Sequence, residues 1–246
     1  MSEIKYKAVI LVLASNDNEI YKNARKIWKK YMYLDDRFKV FFVYGKLFEQ
    51  LDDYDSNSDL IYPEIEEQFP VLIRKTINAM EYIDNNFKYD YLVRTNLSTF
   101  WDFDKLYNHL VSLPNTLFYS GDGPLYNHIK KVYYLSGVDT IVTKEMITSI
   151  VNNKHLVDYE CVEDEAMGRY FLYILHAPIL KSKICFFEDI KSTNENDKIL
   201  LRIADAIKQN CDHYRVKSLS SERLIIDMHI YKILLKVIYK IDYDIK

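Results

Sequence analysis

Residues 8–14 read AVILVLA, an unbroken apolar run, and no other segment constrains the fold as tightly. A strand that is apolar on both faces must be covered on both, as in a parallel sheet lying between layers of helices. The polar stretch Ser15-Asn16-Asp17-Asn18 supplies turn and helix-cap chemistry directly after it. Over residues 19–31, Ile20, Ala24, Ile27, Trp28 and Tyr31 then recur at helical spacing, with lysines falling between them. Strand followed by helix is the opening of an α/β fold. The run is also too short to cross a bilayer, so the expectation is a chain without a membrane anchor, acting in a cytoplasm.

The alternation continues. Further strands are expected at 38–44, closed by Gly45, at 59–62 on an edge, and at 89–94; a helix is expected over 70–85. Beyond these, helices are expected at 103–112, 143–152 and 163–175, and strands at 116–120, 132–135 and 183–187. Gly121-Asp122-Gly123-Pro124 forms a turn. Residues 194–210 read as mostly helical. The apolar stretch 223–240 is interrupted by Arg223, Asp227, Lys232 and Lys236, the mark of a helix packed on the domain. The pattern predicts one α/β domain over 1–246, a mixed, mostly parallel sheet flanked by helices, with a helical element over about 194–246 packed on it.

Composition narrows the function. A length of 246 residues with 49% hydrophobic and 28% charged residues is that of an ordinary globular chain. A formal charge of −3 argues against a general nucleic-acid binder. Five scattered glycines cannot build a glycine-rich phosphate cradle, which disfavours dinucleotide oxidoreductases, kinases and P-loop enzymes. The six histidines form no HExxH pattern, GxSxG is absent, and Cys161, Cys185 and Cys211 are too far apart for a CxxC pair, so reduced, buried thiols are expected. The abundance of Lys, Ile, Asn and Tyr is similar to the coding bias of large DNA viruses, in which case the cytoplasm is that of the host.

Polar residues at strand ends carry the rest. Tyr91-Leu92-Val93 turns abruptly into Arg94-Thr95-Asn96, the carboxyl end of a strand, where ligands of open α/β sheets bind. Ser136-Gly137 lies where a tight turn permits close approach to the backbone. Val162-Glu163-Asp164-Glu165-Ala166-Met167-Gly168 opens a helix with three carboxylates, which suits a general base and equally suits the helix dipole. Asp102 and Asp104 read as the cap and first turn of a helix, or as displaced metal ligands.

In their order, these segments resemble the β-1,3-galactosyltransferase and Fringe type of glycosyltransferase, which has the GT-A fold; the resemblance covers residues 8–168. It implies a glycosyltransferase, hexosyltransferase-like, moving a sugar from a nucleoside diphosphate sugar, by preference a UDP-sugar, to a glycan hydroxyl with inversion. Asp164 would be the base and Glu163 its neighbour in the acceptor site. Arg94, Asn96, Ser98 and Arg25 would meet the donor, and Ser136, Gly137 and Trp101 the acceptor. Acceptor and linkage choice would lie in loops such as 121–131. His213-Tyr214-Arg215-Val216-Lys217 resembles the closing element of related transferases, placing Arg215 and Lys217 on the diphosphate and His213 on a metal or phosphate. The family's metal-binding aspartates are replaced here by Asn96-Leu97-Ser98, poor hosts for manganese or magnesium. That replacement leaves a second expectation, a nucleotide- or carbohydrate-binding protein of the same fold without catalysis.

Overall fold

The computed structural model describes residues 5–68 and 70–243; the ends of the expected 1–246 domain lie outside them. The elements in chain order are β1 (Lys5–Leu13), α1 (Glu19–Tyr31), β2 (Phe38–Tyr44), β3 (Asp59–Ile61), α2 (Leu72–Asn86), β4 (Lys88–Asn96), β5 (Thr99–Trp101) and α3 (Phe103–Ser112). Then come β6 (Tyr119–Gly121), β7 (Leu125–Asn127), β8 (Val132–Tyr134), β9 (Asp139–Thr143), α4 (Lys144–Asn152) and α5 (Glu163–Gly168). The chain ends with β10 (Ile179–Lys181), β11 (Ile184–Phe186), α6 (Asn196–Lys208), β12 (His213–Arg215) and α7 (Arg223–Leu234). Helices α5 and α7 run on in π-helical geometry over Arg169–Ile174 and Leu235–Tyr239.

These residues cluster in two compact units, each drawn from several stretches of chain. The first holds residues 5–17, 36–96 and 113–182 and is built on a seven-stranded sheet of order β10-β6-β9-β4-β1-β2-β3. Within it β1, β2, β3 and β4 are parallel, β10 is parallel to β6, and β9 alone runs antiparallel to both its neighbours, β4 and β6. Ala8 to Val12 are fully buried at the sheet's centre, as their unbroken apolar run requires. Helices α2, α4 and α5 pack Ile77, Met80, Ile147 and Met167 into the same core.

The second unit holds residues 18–35, 97–112 and 183–243: helices α1, α3, α6 and α7 with a small sheet of order β11-β12-β5. Asn18 caps α1 by accepting the Tyr21 N–H. The unit's core is aromatic, with the Tyr31 ring against those of Trp28, Phe100 and Tyr239. The Leu97 carbonyl accepts from both Trp28 Nε1 and the Tyr231 hydroxyl, so the chain enters this unit pinned between α1 and α7.

Several elements differ from the sequence-based expectation. Of residues 132–135, expected in the main sheet, Val132 to Tyr134 pair instead with β7 in a separate hairpin. The sheet strand is β9, whose Asp139-Thr140-Ile141-Val142-Thr143 run is wholly buried. From the sequence alone, these residues are expected to form a turn entering a helix. Strands β5, β10 and β12 span three residues each and carry no period to read. The three cysteines are buried free thiols, and no helix among the described residues is long and apolar enough to cross a membrane.

Candidate active site

Because β9 pairs antiparallel with β4, Arg94 faces Thr140 and Thr95 faces Asp139. Ser136 and Gly137, just ahead of β9, are thereby delivered to the carboxyl end of β4. Arg94 is buried there, and its guanidinium grips both oxygens of Glu163, with Nε 2.9 Å from Oε1 and Nη2 on Oε2. Its Nη1 donates to the Gly137 carbonyl, which also accepts from Asn96 Nδ2 at 3.1 Å. Thr76 on α2 donates to Glu163 Oε1 at 3.1 Å. Burial pushes the Glu163 carboxyl up and the Arg94 guanidinium opposes that push. Arg94 and Glu163, expected on the donor and the acceptor, are thus engaged with each other, and together they fix Gly137 and the start of α5.

A Cβ on Gly137 would lie 2.6 Å from Arg94 Nη1. Gly137→Ala must push the guanidinium away from Glu163, and the expected loss is about 1–3 kcal/mol of stability. A lowered urea midpoint at unchanged slope would show it; an unmoved midpoint would mean that Arg94 relocates freely.

The three acids at the head of α5 have separate fates. Glu165 is 1% exposed, accepts from Asn127 Nδ2 at 2.8 Å, and pairs with Lys130 at 3.5 Å and Arg169 at 3.4 Å. Asp164 stays half-buried, with Oδ2 accepting the Gly137 N–H at 3.2 Å and Oδ1 the Glu165 N–H at 3.0 Å. The N-cap residue, Val162, makes no side-chain cap bond. Ion pairs occupy Glu163 and Glu165, and Asp164 alone of the three acids is not fully buried.

A second buried ion pair escaped the sequence reading. Lys75 of α2 donates to the Ala14 carbonyl beyond β1 at 2.9 Å and to the two oxygens of Glu67 at 2.7 and 2.6 Å. Glu67 in turn accepts the Gly45 N–H beyond β2. Asn16 holds the Glu49 carbonyl at 2.6 Å and the Phe48 N–H at 3.1 Å. All these groups gather at the carboxyl ends of β1, β2 and β4, the ligand-binding edge of an open α/β sheet. One lysine and one glutamate among many give no local signal of such a pairing.

In the second unit, Ser98 Oγ accepts from Arg215 Nη1 at 2.6 Å. Burial lowers the pKa of both Arg215 and Lys217, and the nearby Arg223 guanidinium lowers both further. Arg223, seen in the sequence only as an interruption of an apolar helix, donates from Nε to Asp227 at 2.8 Å, while its Nη2 is buried without a hydrogen-bond partner. Three cations at close quarters, with Asp227 and Glu188 opposing them, form a group suited to an anion.

Other expected site residues lie in the core of that unit. Trp101 is fully buried in β5, so it does not offer a surface to an acceptor. His213 is fully buried too: its ring stacks on Trp101 at 4.3 Å and its Nδ1 lies 2.6 Å from Asp212, which also holds His109. Asp212 thus holds the His213 ring on its Nδ1 side and Trp101 covers one ring face. Arg25 is 4% exposed on the inner face of α1. Asp102 Oδ1 accepts the Lys105 N–H at 3.1 Å, the bond of a cap at the head of α3.

The positions of the family's aspartates do not fit a divalent cation. The Asn96 amide is turned to the Gly137 carbonyl, and a guanidinium sits 2.6 Å from Ser98 Oγ, repelling any cation that would use that oxygen. Among the described residues no group of three or more His, Cys, Asp or Glu side chains is placed to hold a metal ion.

No protein-family model matches the sequence, and no curated protein matches it either. Among solved structures the chain is similar to a glycosyltransferase involved in the glycosylation of the major capsid of PBCV-1. The two are 11% identical, with a TM-score of 0.48 and coverage of 91% of this chain and 98% of that one. It is also similar to the apo-form glycosyltransferase GlyE of Streptococcus pneumoniae TIGR4, at 8% identity and a TM-score of 0.44, covering 96% of this chain and 64% of that one.

Proposed function

We propose that the chain transfers a sugar from a nucleoside diphosphate donor, by preference a UDP-sugar, to a glycan hydroxyl with inversion at the anomeric carbon. The observation that carries this reading is the division of labour at the head of α5: Glu163 and Glu165 are held in ion pairs, and Asp164 alone remains partly exposed. In the reaction, the Asp164 carboxylate takes the acceptor's hydroxyl proton as that oxygen bonds to the anomeric carbon. The bond from that carbon to the diphosphate breaks, and its electron pair leaves with the phosphate oxygen. Within the second unit taken by itself, Arg215, Lys217 and Arg223 form a cationic group suited to a diphosphate.

The test is a thermal-shift and calorimetric series with UDP, GDP, CMP and their sugars, each with manganese and with EDTA. One UDP-sugar at about a hundred times its Kd should stabilise the protein by about 2.7 kcal/mol, a rise of roughly 5–10 °C for a chain of this size. The rise should be the same with manganese and with EDTA. If no nucleotide shifts the transition, the donor assignment fails; a shift seen only with manganese overturns the metal-free reading.

A further inference from the structure

The hairpin of β7 and β8 has two unlike faces. Tyr126 and Tyr133 are direct cross-strand partners, so they stand on one face, and His128 two residues beyond Tyr126 shares it. Their rings form a group, with Tyr126 4.7 Å from Tyr133 and 4.9 Å from His128 between centroids. Tyr126 is nevertheless 38% exposed and Tyr133 50% exposed. The opposite face is pinned to α5. Asn127 donates to Glu165 at 2.8 Å, and Gly168 lies so close to Tyr134 that a Cβ there would come within 2.4 Å of the Tyr134 Cβ. The Tyr133 N–H donates to the hydroxyl of Tyr173, from the π-helical continuation of α5, at 2.7 Å.

A two-stranded hairpin is marginal by itself in water. This one is tied by a hydrogen bond to Glu165, the residue that follows Asp164, and its strand β8 leads into Ser136 and Gly137, whose N–H meets Asp164. The helix that carries Asp164 therefore also sets the position of an exposed aromatic surface. Rings bearing hydroxyls expose apolar faces with polar rims. A pyranose matches such a surface, because its axial C–H bonds present a weakly positive face to the ring's negative one, while its hydroxyls stay at the edge.

We infer that Tyr126 and Tyr133 form a subsite for pyranose rings of an oligosaccharide acceptor, beyond the sugar that carries the reacting hydroxyl. The assignment of that oligosaccharide as acceptor rests on the transferase reading; the binding of the oligosaccharide does not. The test is a microarray of defined oligosaccharides of mixed linkage, probed with the full chain, with Tyr126→Ala/Tyr133→Ala and with Tyr126→Phe/Tyr133→Phe. Each protein is also taken through the nucleotide series above. The wild-type chain should bind at least one oligosaccharide at least ten-fold better than its constituent monosaccharide. The alanine pair should lose that advantage, and the phenylalanine pair should keep most of it, with the nucleotide response unchanged in all three. No oligosaccharide bound by the wild type, or equal binding by the alanine pair, overturns the inference and leaves the donor site standing. Oligosaccharide bound through these tyrosines without any nucleotide response upholds the subsite while the transferase reading fails.

Discussion

Asp164→Asn is expected to lower sugar transfer by about 10²- to 10⁴-fold, the usual contribution of a positioned general base, with nucleotide binding nearly unchanged. The substitution is close to isosteric. Its single oxygen can accept only one of the Gly137 and Glu165 N–H groups, which now go to separate oxygens of Asp164, so the melting temperature of the variant is measured beside its activity to show that the fold holds. What it removes is the lone pair able to take a proton. Single-turnover transfer beside nucleotide titration separates the two effects, and retained turnover would exclude Asp164 as the base. Glu165→Gln serves as the contrast, because Glu165 is enclosed by Asn127, Lys130 and Arg169 and touches no acceptor in this reading. Its transfer rate should fall far less than that of Asp164→Asn.

The second large effect is on stability. Arg94→Met leaves the Glu163 carboxylate buried with only Thr76 as a hydrogen-bonding side chain, and an uncompensated buried charge of this kind costs about 3–5 kcal/mol. At about 2–4 °C per kcal/mol for a chain of this length, the melting temperature should fall by roughly 10 °C. Arg94→Met/Glu163→Leu should recover much of the loss, since two apolar side chains can replace a buried pair at little cost. The pH dependence has a definite sign. In the Arg94→Met protein, burial raises the Glu163 pKa with no guanidinium opposing it. A carboxyl raised on folding destabilises the fold above its unfolded pKa, so the variant should regain stability as the pH is lowered from 7 towards 5. A melting temperature within 2 °C of the wild type at pH 7 would mean that the pair contributes little.

What could be read in the sequence was local. The run at Ala8 to Val12 demanded burial on both faces, Asn18 and Asp102 were recognisable as caps, and the order of Arg94, Gly137 and Asp164 marked one neighbourhood. What could not be read was pairing at a distance. Nothing near Arg94 announces Glu163, 69 positions away, as the carboxylate it holds. Lys75 carries no sign that it joins the ends of β1 and β2. His213 sits beside basic residues, as a ligand would, and only the stacking of Trp101 and the proximity of Asp212 show that it is enclosed. The strand at β9 was missed for a related reason. A short β-branched run after a Ser-Gly turn reads as easily into a helix, and its place between β4 and β6 is decided by partners far off in the chain.

The chain passes between the two compact units five times, at 17/18, 35/36, 96/97, 112/113 and 182/183. During synthesis this gives the units different birthdays. Every strand of the seven-stranded sheet has been made once Lys181 is in place, so that unit can close while the ribosome is still adding residues. The other unit must wait: Trp28, Tyr31 and Phe100 are made early, but the Tyr231 and Tyr239 that cover them arrive last. For that interval a cluster of large aromatic rings stands open to water, the condition under which nascent chains aggregate and chaperones engage. Truncation shortly after Ser182 would make that interval permanent.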